Sequence, residues 1–263
     1  MASESQETFI HPTAVVDPKA RIGRGCWIGP YCVVGPEVEL GPRCKLHPHV
    51  VVGGATRLGA DNEIFPFASI GLRTQDLKWR GGETRTEIGD GNIFREYVTI
   101  HSATGDGEVT RVGSRNAVLA YAHIAHNVEL GDQVILSNAA TLGGHVTVED
   151  GAVVGGLAAV HQFCRIGKMA MIGGCSKVVQ DVPPFMLADG NPAVTRTINK
   201  VGLERRGVSL EARAALRKAH RILFREGLAA DNALARIEAE LPPLPEVRHL
   251  VAFARSSRRG LCR

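Results

Sequence analysis

Residues 10–70 read IHPTAVVDPKARIGRGCWIGPYCVVGPEVELGPRCKLHPHVVVGGATRLGADNEIFPFASI, and an aliphatic side chain returns at every sixth position without a miss. The series is Ile10, Val16, Ile22, Ile28, Val34, Leu40, Leu46, Val52, Leu58, Ile64 and Ile70. Glycine commonly follows it (Gly23, Gly29, Gly35, Gly41, Gly53, Gly59), and a small or β-branched residue sits four positions on (Ala14, Ala20, Cys26, Cys32, Val38). A short strand, a corner and another strand fit this period, with the aliphatic side chain inward and the small residue beside the corner. Three hexads close a triangular coil, and stacked coils pair in parallel ladders, each lending its edge to the next. The phase returns at Ile88, Phe94 and Ile100, and then from Val112 to Val178, so a parallel β-helix is predicted from Ile10 to about Val182.

Two polar, aperiodic stretches, 71–87 (GLRTQDLKWRGGETRTE) and 105–111 (GDGEVTR), read as loops expelled from the coil. Loops on a rigid scaffold are where ligands are usually met. Pro183 and Pro184 end the periodic region. Ser209 and Asp231 are candidate N-caps for helices starting at Leu210 and Asn232, and a further helical pattern covers Val247 to Phe253. The expected division is a β-helix over 1–191 and a small helical domain over 192–263 that closes the last coil, whose edge would otherwise be open.

Composition agrees with a solenoid. Aromatic residues are only 5% of the 263 and glycines number 30, which suits a repetitive core of β-branched and small side chains with many turns. Cys26, Cys32, Cys44 and Cys164 share one phase and read as small core residues rather than disulfide partners or metal ligands. No apolar stretch approaches the roughly 18 residues of a membrane span, and the N-terminus lacks a signal-peptide pattern, so a cytoplasmic protein is expected. The net charge of +4 is uneven: from Pro183 onward 15 Lys/Arg face 8 Asp/Glu. Such a surplus is either a solvated helical face or a surface for an acidic partner.

With three hexads per turn, residues 18 apart stack about 4.8 Å from one another. His126 therefore lies one coil from Gly144, and Gln162 one coil further. His123, His145 and His161 are adjacent, with His101 earlier, so imidazoles gather on one part of the scaffold. His126, in the hexad Ile124-Ala-His-Asn-Val-Glu, is out of the inward phase and suits a general base, since a neutral imidazole can take a proton from a hydroxyl near pH 7. Gly144 can offer a bare N–H to an oxyanion. Two other readings fit the same spacing: a ladder of histidines along an outer face, or a metal set of His123, His126 and His145, which needs three ligands converging on one point.

The stretches HIAHNV (123–128), AVHQFCRIG (159–167), GGCSKVVQDVPP (173–184), GNPA (190–193), GLERRG (202–207) and RSSRRGL (255–261) closely resemble the acyl-carrier-protein–UDP-N-acetylglucosamine O-acyltransferases of lipid A synthesis. The similarity runs over nearly the whole chain from HPTA (11–14) onward. It implies a left-handed β-helix and a homotrimer with active sites between neighbouring helices. It also implies transfer of an (R)-3-hydroxyacyl group from acyl carrier protein to the glucosamine 3-hydroxyl, with no cofactor and no nucleic acid as partner. The family's base matches His126 and its oxyanion glycine Gly144, while His123, His145 and His161 match the other histidines of its cleft. Gln75, Asp76 and Lys78 match substrate-binding positions, and Asn199, Arg205 and Arg206 match positions near the uridine nucleotide, where arginine can fork onto phosphate. Gly174 matches the residue that limits acyl-chain length. Glycine there implies a longer chain, near 3-hydroxymyristoyl, unless Met169 or Met171 intrudes.

One departure is Asn127, where some members carry Asp directly after the base; an amide can hydrogen-bond an imidazole but supplies no charge to an imidazolium. Alternatives within reach of the sequence are the same chemistry on a 3-amino sugar, and a non-catalytic scaffold. The related N-acyltransferase carries a separate N-terminal uridine-binding domain, for which repeats beginning at Ile10 leave no room.

Overall fold

The structure is a computed structural model and describes residues 7–263. The hexads become two-residue strands whose second member points inward, as in Trp27–Ile28, Lys45–Leu46 and Ile135–Leu136. They stack into three faces of a triangular prism, a left-handed parallel β-helix. Face A runs from Phe9–Ile10 to Met171–Ile172, face B from Val15–Val16 to Lys177–Val178, and face C from Arg21–Ile22 to Arg165–Ile166. Neighbouring strands pair 18 residues apart, Trp27 with Lys45 and Ile135 with Val153. Ile28, Leu46, Ile64, Ile100, Ile124 and Ile172 are fully buried in one continuous core, as are Cys32 and Cys164.

The first loop is shorter than expected and the second is shifted toward the N-terminus. Strands Ser69–Leu72, Arg85–Ile88 and Val109–Val112 enter the stretches read as loop, because Thr86 and Thr110 turn inward on face C, where Thr86 pairs with Thr56 on one side and Thr110 on the other. Glu63 pairs with Ile93 and Ile93 with Ala117, offsets of 30 and 24 in place of 18, so 12 and 6 residues are expelled. They lie within residues 73–84 and 102–108.

The faces differ outside. Face C carries alternating charges, with Glu39 bonded to Arg21 and Arg57 and with Arg111 set between Glu87 and Glu129 at 3.4 and 3.9 Å. The exposed apolar residues lie elsewhere: Ile93 and Ile135 on face A, Val15 and Val33 on face B, and Tyr31, Phe67, Tyr97, Tyr121 and Leu157 at the vertex between them.

Past Val182 the expected boundary moves. Met186–Gly190 joins face A and pairs antiparallel with Ala193–Ile198, so a hairpin occupies the point where the helical domain was expected to begin. Helices α1 (Lys200–Arg205), α2 (Leu210–Arg225), α3 (Ala230–Glu240) and α4 (Pro245–Arg255) follow. They bury Leu216, Ile222, Leu234, Ile237 and Leu250 in a second core with Phe185 and Met186. Ser209 caps α2 by accepting from the Ala212 N–H. Asp231 is not a cap: α3 starts two residues earlier than expected, at Ala230 after Ala229, and Asp231 sits in its first turn, where a carboxylate suits the helix dipole. The last coil is closed by the hairpin and by the C-terminal tail, with Cys262 N–H donating to the Asp181 carbonyl at 2.8 Å.

Candidate active site

Both expelled loops leave the prism between faces B and C and lie over one vertex. They are tied to each other: the Thr74 and Thr104 hydroxyls are 2.9 Å apart, and the Glu83 N–H donates to Asp106 at 2.7 Å. Beneath them the vertex turns through His126-Asn127, then Gly144-His145, then Gln162-Phe163. Asn127, His145 and Phe163 each have φ between 58° and 65°, the left-handed conformation that makes the corner tight.

The His126 carbonyl accepts the His145 N–H at 3.1 Å, so the expected stacking of coils is observed. A Cβ on Gly144 would stand 2.4 Å from Cε1 and Nε2 of His126, so only glycine lets the ring lie there. The Gly144 carbonyl accepts from Phe163, while its N–H donates to no group among the described residues. The His126 Nδ1 is 2.9 Å from Asn127 Oδ1, and Asn127 Nδ2 is 2.7 Å from Glu108 of the second loop. Asp76 of the first loop brings Oδ2 to 3.8 Å from His126 Nε2, and both side chains are largely covered.

The other imidazoles frame this pair. His145 meets His126 edge-on at 5.2 Å, and His101 meets His123 at the same distance. His123 Nδ1 is 2.7 Å from the Thr99 hydroxyl. Burial, followed by the charges of His101 and His126, pushes His123 down to about 4, and burial lowers His101 and His145 as well. These rings are neutral near pH 7. The Lys78 N–H and then the His126 charge hold the Asp76 carboxyl low, and the Asn127 amide and the Gly105 N–H do the same for Glu108.

His161 lies one coil beyond His145 at the same vertex, exposed, with Nδ1 3.1 Å from the Gln162 carbonyl. Gln75 and Lys78 are exposed in the first loop, where the Lys78 N–H donates to Asp76 Oδ1 at 2.9 Å. The remaining expected residues are not brought there. Asn199 caps α1 and donates from Nδ2 to the Met169 carbonyl. Arg206 donates to Gln133 at 2.9 and 3.2 Å, and Arg205 ends α1 exposed. Gln133 and Met169 belong to the vertex between faces C and A, where a cavity of about 500 Å³ lies between Glu149, Lys168, Phe185 and His249. Gly174 sits at the third vertex, between A and B, exposed, with only the Gly156 carbonyl within 4 Å of an added Cβ. Among the described residues no three His, Cys, Asp or Glu side chains are grouped to hold a metal ion.

Glu108 and Thr104, whose N–H donates to Asn127 Oδ1 at 3.1 Å, were not singled out from sequence. Their only signal was membership of, or adjacency to, a polar loop, which gives no contact across 19 or 23 residues.

Residues 181–262 match the family model described as Udp N-acetylglucosamine O-acyltransferase; Domain 2, and residues 19–54 match that of bacterial transferase hexapeptide repeats. The acyl-[acyl-carrier-protein]–UDP-N-acetylglucosamine O-acyltransferase of Herminiimonas arsenicoxydans is 47% identical over 97% of this chain and all of its own length. That of Alkalilimnicola ehrlichii is 48% identical with the same coverage. Among solved structures, LpxA from Acinetobacter baumannii superimposes with a TM-score of 0.94 at 44% identity, over 97% of this chain and 99% of its own. The Arabidopsis UDP-N-acetylglucosamine acyltransferase gives 0.88 at 37%, over 97% of this chain and 100% of its own. Resemblance at the six motifs, the three-faced helix and full-length identity agree, and the chain belongs to the UDP-N-acetylglucosamine O-acyltransferases.

Proposed function

We propose that the protein transfers a 3-hydroxyacyl group from acyl carrier protein to the glucosamine 3-hydroxyl of UDP-N-acetylglucosamine, with His126 as general base and Gly144 as oxyanion donor. The observation that carries this is the His126 ring lying over Gly144, with Nδ1 tied to Asn127 and Nε2 on the side of Asp76. Nε2 takes the proton as the sugar oxygen attacks the thioester carbonyl. The carbonyl oxygen becomes an oxyanion, which the free Gly144 N–H accommodates. Collapse breaks the carbon–sulfur bond, and the imidazolium returns the proton to the departing thiolate, leaving ester and carrier thiol.

The active form is a homotrimer. Three copies with the A–B vertex turned to a threefold axis set face A of each against face B of the next. This buries the exposed apolar residues of those faces and leaves the charged face C in water, the arrangement burial favours. The same rotation places the C–A vertex of one copy, with Asn199, Arg205 and Arg206, beside the His126 vertex of its neighbour. Arg206→Ala and His126→Ala chains, each inactive alone, should therefore regain activity when mixed under conditions that exchange subunits. Failure to recover any rate would rule out the shared site. The basic C-terminal region receives the acidic carrier protein, and the Michaelis constant for acylated carrier should rise with ionic strength.

A further inference from the structure

The amide at position 127 leaves the base without a charged neighbour in sequence, but the second loop restores one in space. Asn127 is held by two partners that leave no freedom in how it is placed. The Thr104 backbone N–H, which can only donate, points at Oδ1 at 3.1 Å, and the Glu108 carboxylate, which can only accept when ionised, meets Nδ2 at 2.7 Å. The orientation of the amide is thereby set from both ends, with Oδ1 toward His126. An oxygen acceptor 2.9 Å from Nδ1 requires that Nδ1 carry the hydrogen, so the lone pair of the neutral ring is on Nε2, the atom the reaction uses.

We infer that Glu108 is a positioning residue for the acyl-transfer base, acting through Asn127 to fix the tautomer of His126 and to supply the negative charge that an aspartate at 127 would have supplied directly. This rests on His126 being the base. A carboxylate one amide removed polarises the Nδ2–H···O⁻ and Nδ1–H···O bonds in the same sense, and it favours the imidazolium formed as the proton arrives. Glu108 is itself fixed: its Oε2 also accepts the Gly105 N–H at 2.8 Å, which folds the loop end back over Asn127. The Asn127 N–H is bonded to the Thr110 hydroxyl at 2.8 Å, so the backbone under the relay is pinned to face C. The hydrogen bonds that hold the Glu108 carboxyl low keep it ionised at the pH where the base works.

Other charges also face His126, and they bear on any pH measurement. Asp76 lies 3.8 Å from Nε2, with Lys78 behind it on the first loop. His145 approaches edge-on from the next coil, and His101 and His123 lie on face B. None of these groups is hydrogen-bonded to Asn127 among the described residues. Glu108 alone is connected to the Nδ1 side, which is why moving its charge is a specific test.

The test is a set of three variants assayed across pH, with melting temperatures recorded for each. Glu108→Gln keeps an acceptor for Asn127 and Gly105 and removes only the charge. Its kcat should fall on the order of tenfold, part of the roughly 10²–10⁴ a positioned base supplies, and the acid limb of kcat/KM should move to lower pH. Asn127→Asp alone sets two carboxylates against each other and should also lose activity. The double variant Glu108→Gln with Asn127→Asp places one charge directly on Nδ1–H, and Gln can donate to it. It should be more active than either single variant and should return the acid limb to higher pH. If Glu108→Gln changes only the melting temperature or KM, with the limb unmoved, or if the double variant is no better than the singles, the positioning role is overturned. Should His126→Ala retain activity within tenfold of wild type, the base assignment itself fails, an outcome distinct from the loss of the Glu108 effect.

Discussion

The vertex between faces A and B and the vertex between faces B and C are made from the same corner, yet they end with different chemistry. On the first, Tyr31, His49, Phe67, Tyr97 and Tyr121 all have φ between 59° and 65° and stack at 4.8 to 5.1 Å with their planes within 16° of parallel. Among the described residues no loop leaves there, and each ring covers the face of the next. On the second, Phe163 stacks on His145 in the same way, at 4.6 Å and 11°, but His126 stands at 88° to His145. The ladder is broken at His126 because that residue is one position earlier in its corner than His145. It lies on a glycine, and Asn127 holds its ring from the loop side. A periodic backbone thus decides where side chains stand, and the non-periodic loops decide which of their atoms are free to react.

Removing the broken rung should have the largest effect. His126→Ala is expected to lower kcat by at least the roughly 10²–10⁴ typical of a positioned base, with the melting temperature nearly unchanged because the ring is outside the core. Activity within tenfold of wild type, with a normal circular-dichroism melt, would remove the distinction between the two vertices.

Next comes the glycine under it. Gly144→Ala puts a methyl 2.4 Å from the imidazole, whereas Gly143→Ala meets backbone, with Gln162 N at 2.9 Å and the Val160 carbonyl at 3.1 Å. The first should therefore cost catalysis, on the order of 10²-fold, and the second should cost melting temperature. Equal losses of stability in both would show that Gly144 serves only the corner.

A smaller effect belongs at the A–B vertex, where Gly174 is exposed with room on all sides but the Gly156 carbonyl. Each methylene buried is worth about 0.8 kcal/mol, so a groove left open should favour a fourteen-carbon over a ten-carbon 3-hydroxyacyl donor. Gly174→Met should reverse that order in direct competition without lowering the rate on the short donor. An unchanged preference would place the ruler elsewhere, with Met171 the neighbouring candidate.

The legibility of these regions follows from their periodicity. The strands of the prism were marked by an inward aliphatic such as Ile28 or Leu136, or in one case by Phe94, because burial in a repeated coil leaves a period in the sequence. The His126–Gly144 contact was legible for the same reason, being a fixed offset of 18. Loop limits were misplaced because Thr86 and Thr110 are buried two positions before the inward Ile88 and Val112 while looking polar. Glu108 was invisible because its partner is 19 residues away through a loop of irregular path. Asn199 and Arg206 were assigned only through family resemblance, since nothing in spacing says that one vertex will meet another.

The smallest expected effect concerns stability rather than rate, and it compares the wet and buried sides of the histidine cluster. His123 is pushed to about 4 from an ordinary value of 6.5, by burial first and then by the charges of His101 and His126. A histidine whose folded value is depressed binds fewer protons in the folded chain than in the unfolded one. Its contribution is complete above pH 6.5 and is lost as pH falls through the window from 6.5 toward 4. His101 and His145 are shifted in the same direction, so the cluster as a whole should make the fold acid-sensitive. His123→Gln can still bond the Thr99 hydroxyl but cannot titrate, so the drop in melting temperature between pH 7 and pH 5 should be smaller in the variant. A domain of this size moves about 2–4 °C per kcal/mol, and since His123 is only partly covered, a difference of a few degrees is the expected scale. Parallel pH profiles for the two proteins would show that the ring is wet enough to protonate without disturbing the fold.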